Sequence, residues 1–176
     1  MDVVTAFLNG KLDEELYMVQ PEGFKRSGDL VCRLDKSLYG LKQASKAWND
    51  RFDGFIVKRL GFIKSANDQC LYVKQIGKDT VILVIYVDDV VVAESTLQVV
   101  EAVKQSLATE FQMTDGGEIR CFLGMRIDRD VKARITKISQ RHFLEGLLCR
   151  FSMNECKPAS TPLEVRLKLE KGTEER

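Results

Sequence analysis

From Val81 to Ala93 the chain is apolar at every position but two, and those two are the adjacent carboxylates Asp88 and Asp89. Val and Ile dominate this run, so it reads as strand rather than helix. Two charges cannot continue an apolar strand through a core. The chain therefore turns at them, with one strand from Thr80 to Tyr86 and another from Val90 to Ala93. Cys70 to Lys74 reads as a strand before them, joined through the turn residues Gly77-Lys78-Asp79. Three strands on short connections are antiparallel neighbours, because a parallel pair needs a long crossover. The run is also shorter than the roughly 18 apolar residues of a membrane span.

Other segments extend this pattern. Asp2 to Leu8 reads as a strand end, followed by the turn signal Asn9-Gly10. Leu16 to Val19 is a short strand stopped by Pro21 and Gly23, and Leu30 to Leu34 alternates apolar and polar residues. Leu41, Ala44, Trp48, Phe52, Phe55 and Ile56 recur at helical spacing, so a long amphipathic helix is expected up to Leu60, ended by Gly61. Leu97, Val100, Val103 and Leu107 mark a second helix, and Phe143, Leu144, Leu147, Leu148 and Phe151 a third. Between these last two, Arg120 to Ile127 and Arg134 to Ile138 read as strands. The order predicts an α+β fold, a mostly antiparallel sheet with helices packed on one face. From Glu164 onward the chain is charged and poor in apolar groups, and reads as a frayed tail.

Composition removes several function classes. The five cysteines, Cys32, Cys70, Cys121, Cys149 and Cys156, form no CxxC pair and no disulfide framework, which suits free thiols in a reducing, intracellular compartment. No basic-then-apolar leader opens the sequence, and no membrane association is expected. There is no Walker loop, no GxGxxG and no zinc spacing. His142 is the one histidine and sits on a predicted helix face, a poor start for a catalytic triad. The net charge of +1 carries no basic footprint for nucleic acid; Lys25-Arg26 reads either as solvated or as a phosphate contact.

What chemistry remains lies in carboxylates. Taken alone, Asp88-Asp89 is as readily a hairpin turn as a site, since Asp is a common turn residue. The apolar flanks favour a buried setting, in which two carboxylates repel unless a cation neutralises them. Asp2 opens another apolar segment, and alone would be a cap or edge residue. Three carboxylates on adjacent strand ends can hold two Mg²⁺ ions about 4 Å apart.

Five blocks in order resemble the reverse transcriptase of copia-type retrotransposons. They are Asp2-Val3-Val4-Thr5-Ala6-Phe7-Leu8-Asn9-Gly10; Leu16-Tyr17-Met18 with Gln20-Pro21-Glu22-Gly23-Phe24; Lys36-Ser37-Leu38-Tyr39-Gly40-Leu41-Lys42-Gln43-Ala44 with Trp48; Tyr86-Val87-Asp88-Asp89; and Phe122-Leu123-Gly124-Met125. Asp68, Cys70, Tyr72, Ser139-Gln140 and Thr161-Pro162-Leu163 echo the pattern. The resemblance runs from residue 2 to about 163 and implies the palm of an RNA-directed DNA polymerase. It implies catalytic and metal-binding roles for Asp2, Asp88 and Asp89, a metal contact from the Val3 carbonyl, and Mg²⁺ or Mn²⁺ as cofactor. It places Ala6, Phe7, Tyr39, Gly40 and Lys42 at the nucleotide, with the Phe7 ring beneath the sugar as a steric gate against ribonucleotides. From the residues alone Phe7 reads as core, and Tyr39-Gly40 as a helix-entry turn. Phe122 to Met125 resembles the primer grip, although by composition it is only a strand.

The implied partners are an RNA template, a DNA or RNA primer, deoxynucleoside triphosphates and, in an intact polyprotein, integrase and RNase H. The implied location is cytoplasmic, within a virus-like particle. The expected domains are a palm over 1–138, the start of a thumb-like helical region over 139–163 and the tail over 164–176. The family's fingers precede the first aspartate, so an N-terminally truncated polymerase is expected. Val4, Ser45 and Glu94 depart from the family's usual Lys, Pro and Gly, and none is an expected ligand. Two rivals share these residues: a catalytically inactive transposon relic, and a metal-dependent phosphodiesterase. The five blocks argue against the second.

Overall fold

A computed structural model describes residues 1–26 and 28–163. In chain order the elements begin with β1 (Asp2–Val3), a 3-10 turn (Ala6–Asn9), β2 (Lys11–Val19), β3 (Val31–Lys36) and α1 (Ala44–Lys58). Next come β4 (Ile63–Lys64), β5 (Leu71–Ile76), β6 (Asp79–Tyr86), β7 (Asp89–Ala93), α2 (Leu97–Glu110) and β8 (Met113–Thr114). The last are β9 (Cys121–Phe122), β10 (Met125–Asp130), β11 (Ile135–Ser139) and α3 (Arg141–Arg150). This is an α+β architecture in which every described strand pairing is antiparallel. The chain divides into two compact units, Met1–Glu118 and the residues from Ile119 onward. That division falls ahead of position 138, where the resemblance put the end of the palm.

The first unit is built on a six-stranded sheet of order β4-β5-β6-β7-β1-β8. Its period of two is plainest in β6, where Val81, Leu83 and Ile85 are buried while Thr80, Ile82 and Tyr86 are exposed. The buried set meets Trp48, Phe52, Phe55 and Ile56 of α1, Val103 and Leu107 of α2, and Phe111 in one core. Both helices thus lie on one face, as the patterning requires. Each fully buried Val, Leu, Ile or Phe contributes about 1.5–3 kcal/mol. Tyr72 of β5 is buried too, and its hydroxyl donates to Asp53 at 3.2 Å. Burial first, and then the Asp53 charge, raise that hydroxyl far above the ordinary tyrosine range.

β2 and β3 form a separate two-stranded ribbon. Gly10, just before β2, is buried against α1. A Cβ there would lie 2.8 Å from the Ala47 carbonyl carbon and 2.9 Å from the Trp48 nitrogen. Its φ of −73° suits any residue, so the requirement is close approach, not the turn conformation that Asn9-Gly10 suggests.

Three expected boundaries change. The opening strand ends at Val3, because Thr5 takes a left-handed conformation (φ 52°, ψ 55°) that starts the 3-10 turn. Leu16 to Val19 is the end of a longer strand whose register shifts between Lys11 and Leu16. Arg120 to Ile127 is two strands, since Leu123 (φ 50°) and Gly124 (φ 75°) form a two-residue hairpin turn that pairs Phe122 with Met125.

The second unit holds a three-stranded sheet of order β11-β10-β9, and α3. No residue of α3 is buried. Among the described residues no helix is long and apolar enough to cross a membrane. The tail expected from Glu164 lies outside the described residues.

Candidate active site

The two aspartates of the apolar run sit at the β6–β7 hairpin. Tyr86 pairs with Asp89, leaving Val87 and Asp88 as the two central turn residues. Val87 has φ 56°. A β-branched residue in that region is strained, at about 1–3 kcal/mol. Two contacts hold the turn from inside the protein. The Trp48 indole Nε1–H donates to the Val87 carbonyl at 2.6 Å, and the Val3 N–H donates to the Asp88 carbonyl at 2.8 Å.

β1 lies between β7 and β8, and its register sets Asp2 opposite both Asp89 and Thr114. Val3, Ile85 and Val90 point into the core. By alternation Asp2, Tyr86 and Asp89 face the other way, on the side of the sheet free of α1 and α2. Directly paired residues of an antiparallel ladder have Cβ atoms about 4.5–5.5 Å apart. Asp2 is thus beside Asp89, with Asp88 in the adjoining turn.

The buried setting expected for Asp88 and Asp89 is met only in part, since both are half-buried; Asp2, at the strand edge, is exposed. Among the described residues no three His, Cys, Asp or Glu side chains gather into a ligand cluster, so the three carboxylates do not converge in these rotamers. The donor chemistry nonetheless fits a hard divalent cation. Carboxylate oxygens are what Mg²⁺ takes, and Mg²⁺ keeps positions for water and substrate phosphate. The backbone has already placed Asp2 and Asp89 side by side, so convergence requires side-chain rotation and no change of register.

The residues expected at the nucleotide follow β1. Ala6 is fully buried and Phe7 is partly buried against the core. The Phe7 ring meets that of Tyr39 at 4.7 Å between centroids, tilted by 52°. The Phe7 carbonyl accepts hydrogen bonds from the Ser37 hydroxyl, which is fully buried, and from the Gly10 N–H at 3.1 Å. Phe7 and Tyr39 are therefore brought together, while Gly40 (φ 96°) and Lys42 are exposed in the turns before α1. That helix begins at Ala44, so the expected helix entry at Tyr39 to Lys42 precedes it. Phe122 to Met125 make the β9–β10 hairpin, which belongs to the second unit.

Two positioning contacts were not foreseen. Trp48 was expected on a helix face and as a member of the third block, and Ser37 only as a member of that block. A buried indole N–H nearly always finds an acceptor, so the solitary Trp on an apolar helix face was itself the signal. Nothing comparable marks Ser37.

The reverse transcriptase (RNA-dependent DNA polymerase) family matches residues 1–165. Among curated proteins, the retrovirus-related Pol polyprotein from transposon TNT 1-94 of Nicotiana tabacum is 43% identical over 174 residues, 97% of this chain and 13% of the relative. The corresponding polyprotein from transposon RE1 of Arabidopsis thaliana is 36% identical, over 98% of this chain and 12% of its own length. A putative transposon Ty5-1 protein of Saccharomyces cerevisiae is 34% identical, over 93% of this chain and 53% of that protein. The chain thus spans about an eighth of the plant polyproteins and about half of the yeast protein. No solved structure matches the chain significantly.

Proposed function

The chain belongs to the reverse transcriptase (RNA-dependent DNA polymerase) family of transposon Pol polyproteins, and on that premise we propose that it carries the palm of a copia-type RNA-directed DNA polymerase. The observation that supports this most is the cross-strand pair Asp2–Asp89 beside the Val87–Asp88 turn, on the open face of the sheet. Asp2, Asp88 and Asp89, with the Val3 carbonyl, would hold Mg²⁺ or Mn²⁺. Ions bound there would promote ionisation of a primer 3′-hydroxyl and offset the charge of a triphosphate.

The protein's own residues do the positioning. The strand pairing keeps the carboxylates on the face a duplex would occupy. The Phe7 ring, backed by Tyr39 and held through the Phe7 carbonyl, would lie under the deoxyribose and exclude a 2′-hydroxyl. Ala6, Gly40 and Lys42 would line the nucleotide, and Phe122 to Met125 would grip the primer end. In this reading residues 1–138 are palm, and residues 139–163 begin a thumb. The partners are an RNA template, a DNA or RNA primer and deoxynucleoside triphosphates, with integrase and RNase H in the same polyprotein, inside a cytoplasmic particle.

The test is primer extension on an RNA template with Mg²⁺, comparing this chain with Asp88→Asn. The substitution keeps the side chain's shape and removes its charge, so extension should fall at least about a hundredfold. Because the family's fingers, which precede the first aspartate, supply contacts to the triphosphate, this chain alone should extend poorly, so the comparison is made also with a family fingers segment joined ahead of it. Extension by neither, when both fold, would refute the polymerase reading and favour the inactive relic.

A further inference from the structure

The Val87–Asp88 turn raises a question its strand partners do not answer. Val87 occupies a left-handed conformation (φ 56°) that a β-branched side chain resists, and its side chain is partly exposed, so packing alone does not pin it. Its carbonyl, however, receives the Trp48 indole N–H at 2.6 Å. Trp48 is 3% exposed. Its ring is fixed by Phe52 at 5.4 Å and by Phe111 at 5.3 Å, and its backbone by the close approach of Gly10. A rigid donor in the core thus reaches the strained peptide that precedes Asp88, while the Val3 N–H holds the carbonyl that follows it at 2.8 Å.

We propose that Trp48 is a positioning residue of the catalytic turn: its indole N–H holds the strained Val87 peptide and thereby aims the Asp88 carboxylate. This rests on the polymerase reading for its consequence, though not for the contact itself. Trp48 touches no substrate in this scheme and acts only through Val87.

The separating experiment compares Trp48→Phe, Val87→Gly and the double variant with the parent chain. Phe keeps the aromatic packing and removes only the donor and one ring. Glycine takes positive φ without strain, so a turn with glycine in place of Val87 no longer needs the donor. Loss of one hydrogen bond at the turn should lower the primer-extension kcat of Trp48→Phe about tenfold, with little change in nucleotide KM. Val87→Gly in the Trp48→Phe background should restore most of that loss. A role limited to core packing would lower thermal stability in both Trp48→Phe variants and give no rescue, which would overturn the proposal.

A second readout needs no catalysis. The chain has one tryptophan, so its ¹H–¹⁵N spectrum shows one indole signal. Slow hydrogen exchange of that proton, and a shift of the signal in Val87→Gly, would support the contact even if no variant extends a primer, and only the polymerase reading would then fail. A fast-exchanging indole, unmoved by Val87→Gly, would overturn the proposal whatever the activity.

Discussion

Gly10→Ala tests how the ribbon is set against the helix that carries Trp48. The added methyl would lie 2.8 Å from the Ala47 carbonyl carbon, 2.9 Å from the Ala47 Cβ and 2.9 Å from the Trp48 nitrogen. Two of these three are backbone atoms in the first turns of α1, so no flexible side chain can move aside. The backbone angles at Gly10, φ −73° and ψ 131°, are ordinary for alanine, and no conformational strain adds to the clash. Overpacking of this kind destabilises by about 1–3 kcal/mol. The smaller unfolded-state entropy of alanine returns about 0.4–1 kcal/mol. Contacts under 3.0 Å against backbone put the overpacking cost in the upper part of its range, about 2–3 kcal/mol, so the net is a loss of about 1–2.6 kcal/mol, or a fall in Tm of about 4–10 °C for a unit of this size. Urea titration with parallel thermal melts measures it. A variant as stable as the parent would show that Gly10 does not contact α1 so closely, and the described seating of the ribbon would be wrong.

Two further outcomes are expected. On the proposed gate role, Phe7→Val in a chain that extends primers should raise ribonucleotide incorporation relative to deoxynucleotide by about ten- to a hundredfold, because loss of the ring would make room for a 2′-hydroxyl; unchanged selectivity in primer extension removes Phe7 from that role. Asp115 receives the Lys104 ammonium at 2.6 Å, and that hydrogen bond, then the Gly117 N–H, holds its carboxyl below the ordinary 3.8. A depressed folded-state pKa stabilises above the unfolded value and loses that contribution as pH falls through the folded one. Asp115→Asn should therefore lower the urea midpoint near neutral pH, and the difference from the parent should shrink as pH falls below the ordinary carboxylate range, with a size under about 1 kcal/mol for a pair whose carboxylate is largely exposed. A gap of equal size at neutral and acid pH would contradict the assignment.

The elements that were legible are those whose pattern is local. The alternation of Val81, Leu83 and Ile85 and the helical spacing of Trp48, Phe52, Phe55 and Ile56 each state their own buried face, and both faces meet in the core. Asp88-Asp89 was legible as a turn because two charges interrupt an apolar run. What was hidden depends on partners far away in sequence. The left-handed Thr5 follows no turn signal, and the hairpin at Leu123 places a bulky residue where φ is positive. Gly10 looks like a turn glycine until α1 is laid against it.

The pairing of Asp2 with Asp89 belongs to that second group, yet the core leaves it little freedom. Val3 and Val90 are 1% and 2% exposed, locked among the α1 and α2 side chains. A one-residue flip of either strand would bring an aspartate into that core and a valine out of it, an exchange of several kcal/mol. The apolar residues next to the carboxylates, rather than the carboxylates themselves, therefore fix the face on which the charges lie. Within that face the Val87 peptide retains one local freedom, the orientation of the turn, and the Trp48 indole is the group placed to remove it.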